Sequence, residues 1–155
     1  MVFISSILIT PQKNLLEQNK MINKIEHLGI AVKNIESSID LYEKLFQTKC
    51  YKVEEVASEG VKTAFFKVGE SKIELLEATN PESPIAKFLD KKGAGFHHVA
   101  FETSDIDAEI KRLLSEGFEL IHYTPKDGAD NKRIAFLHPK AVDGLLVELC
   151  QEKSA

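Results

Sequence analysis

The chain repeats itself. When His27 is placed on His98, Ile35 falls on Ile106, Ile39 on Ile110, Ala64 on Ala135 and Phe65 on Phe136, all at the one offset that separates the two histidines. Three residues are then inserted in the second copy, within the turn His138-Pro-Lys-Ala-Val-Asp-Gly144. Beyond it, Ile73-Glu74-Leu75 matches Val147-Glu148-Leu149 at an offset longer by that insertion. Self-similarity at a fixed offset is the sequence signature of a structural unit used more than once. Each copy here opens on a strand-like segment carrying a His and closes on one carrying a Glu.

Within each copy the hydrophobic period changes in the same order. Ile25–Val32 alternates and is rich in β-branched residues, which predicts a strand. Asn34 is placed to cap a helix over Ile35–Phe46, whose apolar residues follow helical spacing. Tyr51–Val56, Thr63–Val68 and Lys72–Glu77 then read as strands, with turns at Glu59-Gly60 and Gly69-Glu70-Ser71. The second copy gives a strand over Phe96–Thr103 and a helix capped by Ser104 or Asp105, running to about Glu116 and stopped by Gly117. A strand over Glu119–Thr124, a loop over Lys126–Asn131 and strands over Arg133–His138 and Leu145–Gln151 complete it. Between the copies, Thr79–Pro84 leads into a short helix over Ile85–Lys91, with Ser83 as cap and Pro84 at its first position.

A β-α-β-β-β unit with a helix on one side leaves the other sheet face uncovered. Two such units pairing into one curved sheet solve this, and their concave face is where a site would form. The expected class is therefore α+β: two tandem βαβββ modules, about 24–79 and 96–151, forming one curved, barrel-like mixed sheet with a central metal site. A single domain is expected over 21–155, with 1–20 as a non-core N-terminal extension. In that extension Val2–Ile9 is apolar but short, no Lys or Arg precedes it, and Glu17 is present. These features fit neither a secretory signal nor a mitochondrial presequence.

Composition narrows the function. A net charge of -4 argues against a nucleic-acid partner, which usually meets a basic patch. No apolar run is long enough for a membrane span. Two distant cysteines, Cys50 and Cys150, argue against a disulfide scaffold or a thiolate zinc site and fit a reduced, cytoplasmic setting.

Strand parity then selects the chemistry. His27 shares a face with Gly29 and Ala31, and His98 shares one with Ala100, so both imidazoles stand on faces kept open by small residues. Glu74 and Glu148 each interrupt an apolar strand, which is costly unless the carboxylate is paired or ligates a metal. A strand His alone is usually a hydrogen-bonded core residue, and a strand Glu alone usually faces solvent. Four such residues at matching repeat positions point to one ion held by His27, Glu74, His98 and Glu148. Two imidazoles and two carboxylates suit Co, Mn, Fe, Ni or Zn. By parity His97 should not join that ion, and His122 reads as a surface or packing residue. His138 reads as a turn residue or a substrate contact. Lys126, Lys132, Arg133 and Lys140 read as solvated charges, with Arg133 the one placed to meet an anionic substrate.

The repeat and its His…Glu…His…Glu order resemble the vicinal-oxygen-chelate superfamily, which includes the glyoxalases, bleomycin-resistance proteins and dioxygenases. Ile25-Glu-His-Leu-Gly-Ile-Ala-Val32, Gly95-Phe-His-His-Val-Ala100 and Arg133-Ile-Ala-Phe-Leu-His-Pro-Lys140 leading to Gly144-Leu-Leu-Val-Glu-Leu149 resemble the methylmalonyl-CoA epimerase family within it. Pro81–Phe88 is similar to that family's linker. The resemblance implies the same four ligands, cobalt as the preferred ion, an acyl-CoA substrate and a homodimer. It also implies epimerisation at C2 of methylmalonyl-CoA through an enolate, which requires a proton relay on each face. Glu148 is the candidate for one face. Some members carry a second glutamate shortly after a Gly-Val pair, but here Gly60-Val61 leads to Thr63. The other face stays open among Glu59, Lys67, Glu74, His97 and a bound water. The same ligand set would also serve a glyoxalase I-type lactoylglutathione lyase. A non-catalytic small-molecule-binding protein could reuse the same fold.

Overall fold

Both expected units are present in the computed structural model, which describes residues 20–154. The first comprises β1 (Ile22–Ala31), α1 (Ile35–Phe46), β2 (Lys52–Val56), β3 (Val61–Val68) and β4 (Ser71–Ala78). Helix α2 (Pro84–Lys92) leads to the second: β5 (Gly95–Thr103), α3 (Ile106–Ser115), β6 (Lys126–Gly128), β7 (Lys132–Leu137) and β8 (Val147–Glu152). Apart from Lys20, the extension expected over 1–20 lies outside the described residues. No helix among the described residues is long and apolar enough to cross a membrane.

The helix starts follow from their caps. The side chain of Asn34 accepts from Ser37 N–H at 2.8 Å, Ser83 Oγ from Ala86 N–H at 3.0 Å, and Asp105 from Ala108 N–H at 3.0 Å. Each satisfies a donor that the first helical turn leaves free. Of the two caps open for α3, Asp105 is the one used.

The eight strands form one sheet in the order β2-β3-β4-β1-β5-β8-β7-β6, so the second module continues the first in mirrored sequence. β1 pairs parallel with β4, β5 pairs parallel with β8, and β1 and β5 meet antiparallel at the centre. The sheet curls into a nearly closed barrel. Its outer face carries the cores. Val32, Ile35, Ala64, Phe66 and Leu75 pack with Ile39, Tyr42 and Phe46 of α1. Val99, Ile106, Ile110, Leu113, Ala135 and Leu149 form the equivalent cluster under α3. Full burial of a side chain such as Phe66 or Leu75 contributes roughly 2 kcal/mol. With the helices on the outside, the concave face is left for function.

Module two departs from expectation at its outer edge. The strand expected over Glu119–Thr124 is reduced to one bridge between Leu120 and Leu137, and the expected loop contains β6 instead. Leu120 is drawn into the core under α3, and Pro125 cannot donate to a ladder. Pairing therefore resumes at Lys126–Gly128 against Lys132–Ile134. The hairpin turns through Asp130 and Asn131, both at positive φ, a region these two residue types tolerate.

The strands at the two ends of the sheet, β2 and β6, are tied by side chains. Asp130 accepts from Tyr51 Oη and Lys72 Nζ, both at 2.9 Å, while its N–H donates to Glu54 at 2.9 Å. Lys126 donates to Glu59 at 2.6 Å across the same gap.

Candidate metal centre

The parallel registers place each Glu beside its own His. Gly29 lies opposite Glu74 and Ala100 opposite Glu148, so each carboxylate reaches the imidazole two residues earlier on the neighbouring strand. Antiparallel pairing of β1 with β5 sets Gly29 opposite His98 and brings the two halves together. His27 Nε2 and His98 Nε2 lie 3.0 Å apart. Glu74 Oε2 is 3.2 Å from the first and 3.5 Å from the second. Glu148 places Oε2 3.3 Å from His98 Nε2 and Oε1 3.9 Å from His27 Nε2. All four side chains are buried. His27, Glu74 and His98 form one close set, with donor atoms all within 4.8 Å of one another. Glu148 faces them from the second module.

These residues fit an ion. Neighbouring donors on a six-coordinate divalent ion with bonds of about 2.1 Å stand about 3 Å apart. Two imidazole nitrogens and two carboxylates aimed at one point also leave a buried excess of acceptors, which a cation satisfies. Glu26, His27 and Cys150 form a second close group. There the Cys150 thiol lies 3.5 Å from the Phe101 carbonyl, and burial pushes it up, away from the thiolate a metal would need.

Burial opposes charge on every member, and the neighbours decide the outcome. Burial works against ionisation of Glu74, but His27 and His98 stand against it and hold its pKa well below the usual carboxylate range. Glu148 goes the other way. Burial, with Glu74 and Glu26 nearby, raises it despite the two imidazoles. Burial disfavours charge on His27, yet Glu74, Glu26 and Glu148 together raise it well above its ordinary value. Glu26 is held at about 2: burial acts against its ionisation, and the hydrogen bonds from His27 and Lys72 outweigh it.

The centre opens into a cavity of about 300 Å³. Val61, Phe65, Leu76, Ile85, Ile134 and Phe136 line it together with Glu59, His97, His122, Lys126 and Lys132. The structure also places the other candidate residues. His97 is in neither close group of candidate donors, yet it lines the cavity, with Nδ1 2.9 Å from His98 Nδ1. Burial first, and then His98, bring His97 down to about 4. His122 packs on Phe136 and accepts from its N–H at 3.2 Å, and it too borders the cavity. His138 serves its turn, accepting from Lys140 N–H at 3.2 Å. Arg133 is not the cation facing the site. It lies on the helix side of β7, paired with Asp107 at 2.9 Å, and the alternation that turns it outward turns Lys132 inward. Lys67 sits 5.4 Å over the Tyr51 ring, away from the cavity lining. Thr63 lines the wall and donates to the Glu54 carbonyl at 3.2 Å.

Known proteins share this sequence pattern and fold. A sequence model of the Glyoxalase/Bleomycin resistance protein/Dioxygenase superfamily matches residues 26–136. The mitochondrial methylmalonyl-CoA epimerase of Dictyostelium discoideum is 41% identical over 83% of this chain and 78% of its own length. The ethylmalonyl-CoA/methylmalonyl-CoA epimerase of Cereibacter sphaeroides is 38% identical over 84% of this chain and 99% of its own. The crystal structure of methylmalonyl-CoA epimerase from Mycobacterium tuberculosis superposes with a TM-score of 0.84 at 33% identity, covering 88% of this chain and 92% of that one. The chain belongs to the glyoxalase/bleomycin resistance protein/dioxygenase superfamily, within its methylmalonyl-CoA epimerase family.

Proposed function

We propose that this protein interconverts the (R) and (S) forms of methylmalonyl-CoA by removing and returning the C2 proton, with one divalent ion held by His27, Glu74, His98 and Glu148. The observation that carries the reading is the convergence of these four buried side chains at one point beside the cavity. The epimerase relatives favour this reaction over the glyoxalase I-type one. When bound, the ion supplies Lewis-acid stabilisation of the negative charge that develops as the proton leaves.

The chain's own residues do the rest. Glu148 turns one oxygen toward each imidazole and is the carboxylate that burial inclines toward a proton. It is the acid/base for one face of the substrate. Glu74, held ionised by both imidazoles, is a ligand only. Of the groups open for the other face, Glu59 and His97 line the cavity and Lys67 does not. The apolar wall of Val61, Phe65, Leu76 and Ile134 beside the centre would keep water from the reacting carbon of a bound substrate.

Cobalt as the ion, a homodimer as the assembly and a role in propionate metabolism are further parts of the proposal, drawn from the family resemblance, and a cytoplasmic location is drawn from the two distant cysteines. Light scattering tests the dimer: a mass equal to that of a single chain would refute it. The reaction is tested by incubating the metal-loaded protein with methylmalonyl-CoA in heavy water and following deuterium at C2. Methylglyoxal with glutathione is the parallel substrate. Exchange at C2 supports the epimerase. Consumption of the hemithioacetal without C2 exchange would make the protein a lyase, and neither reaction would leave a binding protein.

A further inference from the structure

The central β1–β5 ladder slips beside each ligand histidine. Ile25 pairs with Phe101 and His27 with Ala100, which leaves Glu26 as an extra residue on β1. Gly29 pairs with His98 and Ile30 with Phe96, which leaves His97 as an extra residue on β5. A third slip, at Asn23, lies at the far end of the pair. Glu26 and His97 occupy the same place in the repeat, each immediately before its module's ligand histidine. Alternation alone would turn both side chains to the outer, helix-covered face. An extra residue in one strand re-aims a side chain, and here both are turned onto the ring of the adjacent histidine. Glu26 Oε2 accepts from His27 Nδ1–H, and His97 Nδ1 stands 2.9 Å from His98 Nδ1. Glu26 is 2% exposed, and its other oxygen takes Lys72 Nζ at 2.7 Å, with Lys132 Nζ at 3.6 Å.

We propose that Glu26 and His97 are paired positioning residues that hold a proton on Nδ1 of His27 and of His98, so that both Nε2 lone pairs face the ion. A carboxylate oxygen has no proton to give, so the bond to Glu26 requires the proton on His27 Nδ1. At the second ring His98 donates and His97 Nδ1 accepts, which places the proton of His97 on its Nε2. The partners differ in strength. Glu26 is charged and draws the Nδ1 proton toward itself, which pushes electron density onto the His27 ring, whereas His97 is a neutral acceptor. His27 is therefore the stronger ligand of the two. Such outer partners of ligating imidazoles typically change metal affinity about 10–100-fold when removed.

This inference rests on the metal reading above, and the test separates the two. Long-range proton–nitrogen NMR on the full-length chain, with ¹⁵N-labelled histidine, reports which ring nitrogen carries a proton. It is run both without metal and with Zn²⁺. The expected result is a proton on Nδ1 of both His27 and His98 in either state. A bare Nδ1 on either ring would overturn the proposal, whatever the enzyme catalyses. Zinc affinity by chelator competition is the second readout. Glu26→Ala should lose about 10–100-fold and His97→Ala less. Glu26→Gln, whose amide oxygen can still accept from Nδ1–H, should recover most of the loss and guards against a folding defect in the alanine variant. Affinities within threefold of wild type in both alanine variants would also overturn it. If wild-type protein binds no zinc, the metal reading fails, while the metal-free spectra still decide the positioning role.

Discussion

The imidazole of His98 occupies the space above Gly29. A Cβ built on Gly29 would lie 2.1 Å from His98 Cε1 and 2.3 Å from its Nδ1, and the nearest atoms all belong to that ring. The backbone at Gly29 is ordinary extended strand, so the constraint is the ring and not the φ angle. Gly29→Ala should therefore fold but displace His98. Metal content after dialysis is expected to fall several-fold, with a stability loss of about 1–3 kcal/mol from overpacking. Full metal retention would mean that the ring has another place to go.

His98→Ala should remove most of the bound metal, because it deletes a donor from the close set of His27, Glu74 and His98. Elemental analysis of the purified variant checks this, and a metal content equal to wild type would dissolve the site. Glu148→Gln is the finer probe. It keeps the side chain's size and one acceptor oxygen but cannot take a proton at neutral pH. With metal still bound, C2 exchange should drop by at least about 100-fold, the scale of a lost acid/base group. Near-normal exchange would leave Glu148 a ligand only and move the proton transfer to Glu59 or His97.

Asp130 gives the fold an acid-sensitive tie. Burial works against its ionisation, but hydrogen bonds from Lys72 and Tyr51 hold it below its ordinary value of 3.8. Its contribution is therefore complete above that ordinary value and is lost as pH falls through the lower, folded one. Asp130→Asn should cost about 2 kcal/mol at pH 7, the scale of a buried charge-assisted contact. It should also flatten the fall in stability below pH ~4. Urea melts at neutral and acid pH read both effects. An unchanged acid slope would mean that other carboxylates set it.

Phe66 is fully buried and packs at 6.2 Å and 5.8 Å from the Tyr42 and Phe46 rings. Phe66→Ala should cost about 3–5 kcal/mol in a denaturant melt. A loss under about 1 kcal/mol would mean that the cluster under α1 collapses to fill the space.

The four residues of the candidate centre are legible in the sequence because a repeat counts twice. His27 and Glu74 alone read as ordinary strand residues, and the same offset that aligns the modules singles them out. What surrounds them is less legible, for reasons of local geometry. Parity misplaces His97 because it assumes an unbroken ladder, and the extra residues at Glu26 and His97 break it. The repeat offset is nevertheless a usable pointer, since it carries position 26 onto position 97. Lys132, not Arg133, shares a face with Ile134 and Phe136, and that alternation is the signal that marks it as the inward cation. The edge strand of module two is expected too early in the chain. Leu120 and Ile121 carry a strand-like pattern, and nothing local reveals that the core takes Leu120 while Lys126–Gly128 completes the ladder.

The spacings at the centre fall into two kinds. His27 to Glu74 is 3.2 Å and His98 to Glu148 is 3.3 Å, nearly equal, and each is fixed inside one module by a parallel ladder. The separations that cross between modules, 3.0, 3.5 and 3.9 Å, depend only on how β1 and β5 meet. Each half thus works as one jaw of a gauge. A small rotation of one half against the other would leave both jaws intact and alter only the opening between them. The size of ion that the proposed centre would accept is accordingly a property of the central strand pair, and substitutions along β1 and β5 that touch none of the four side chains would retune it.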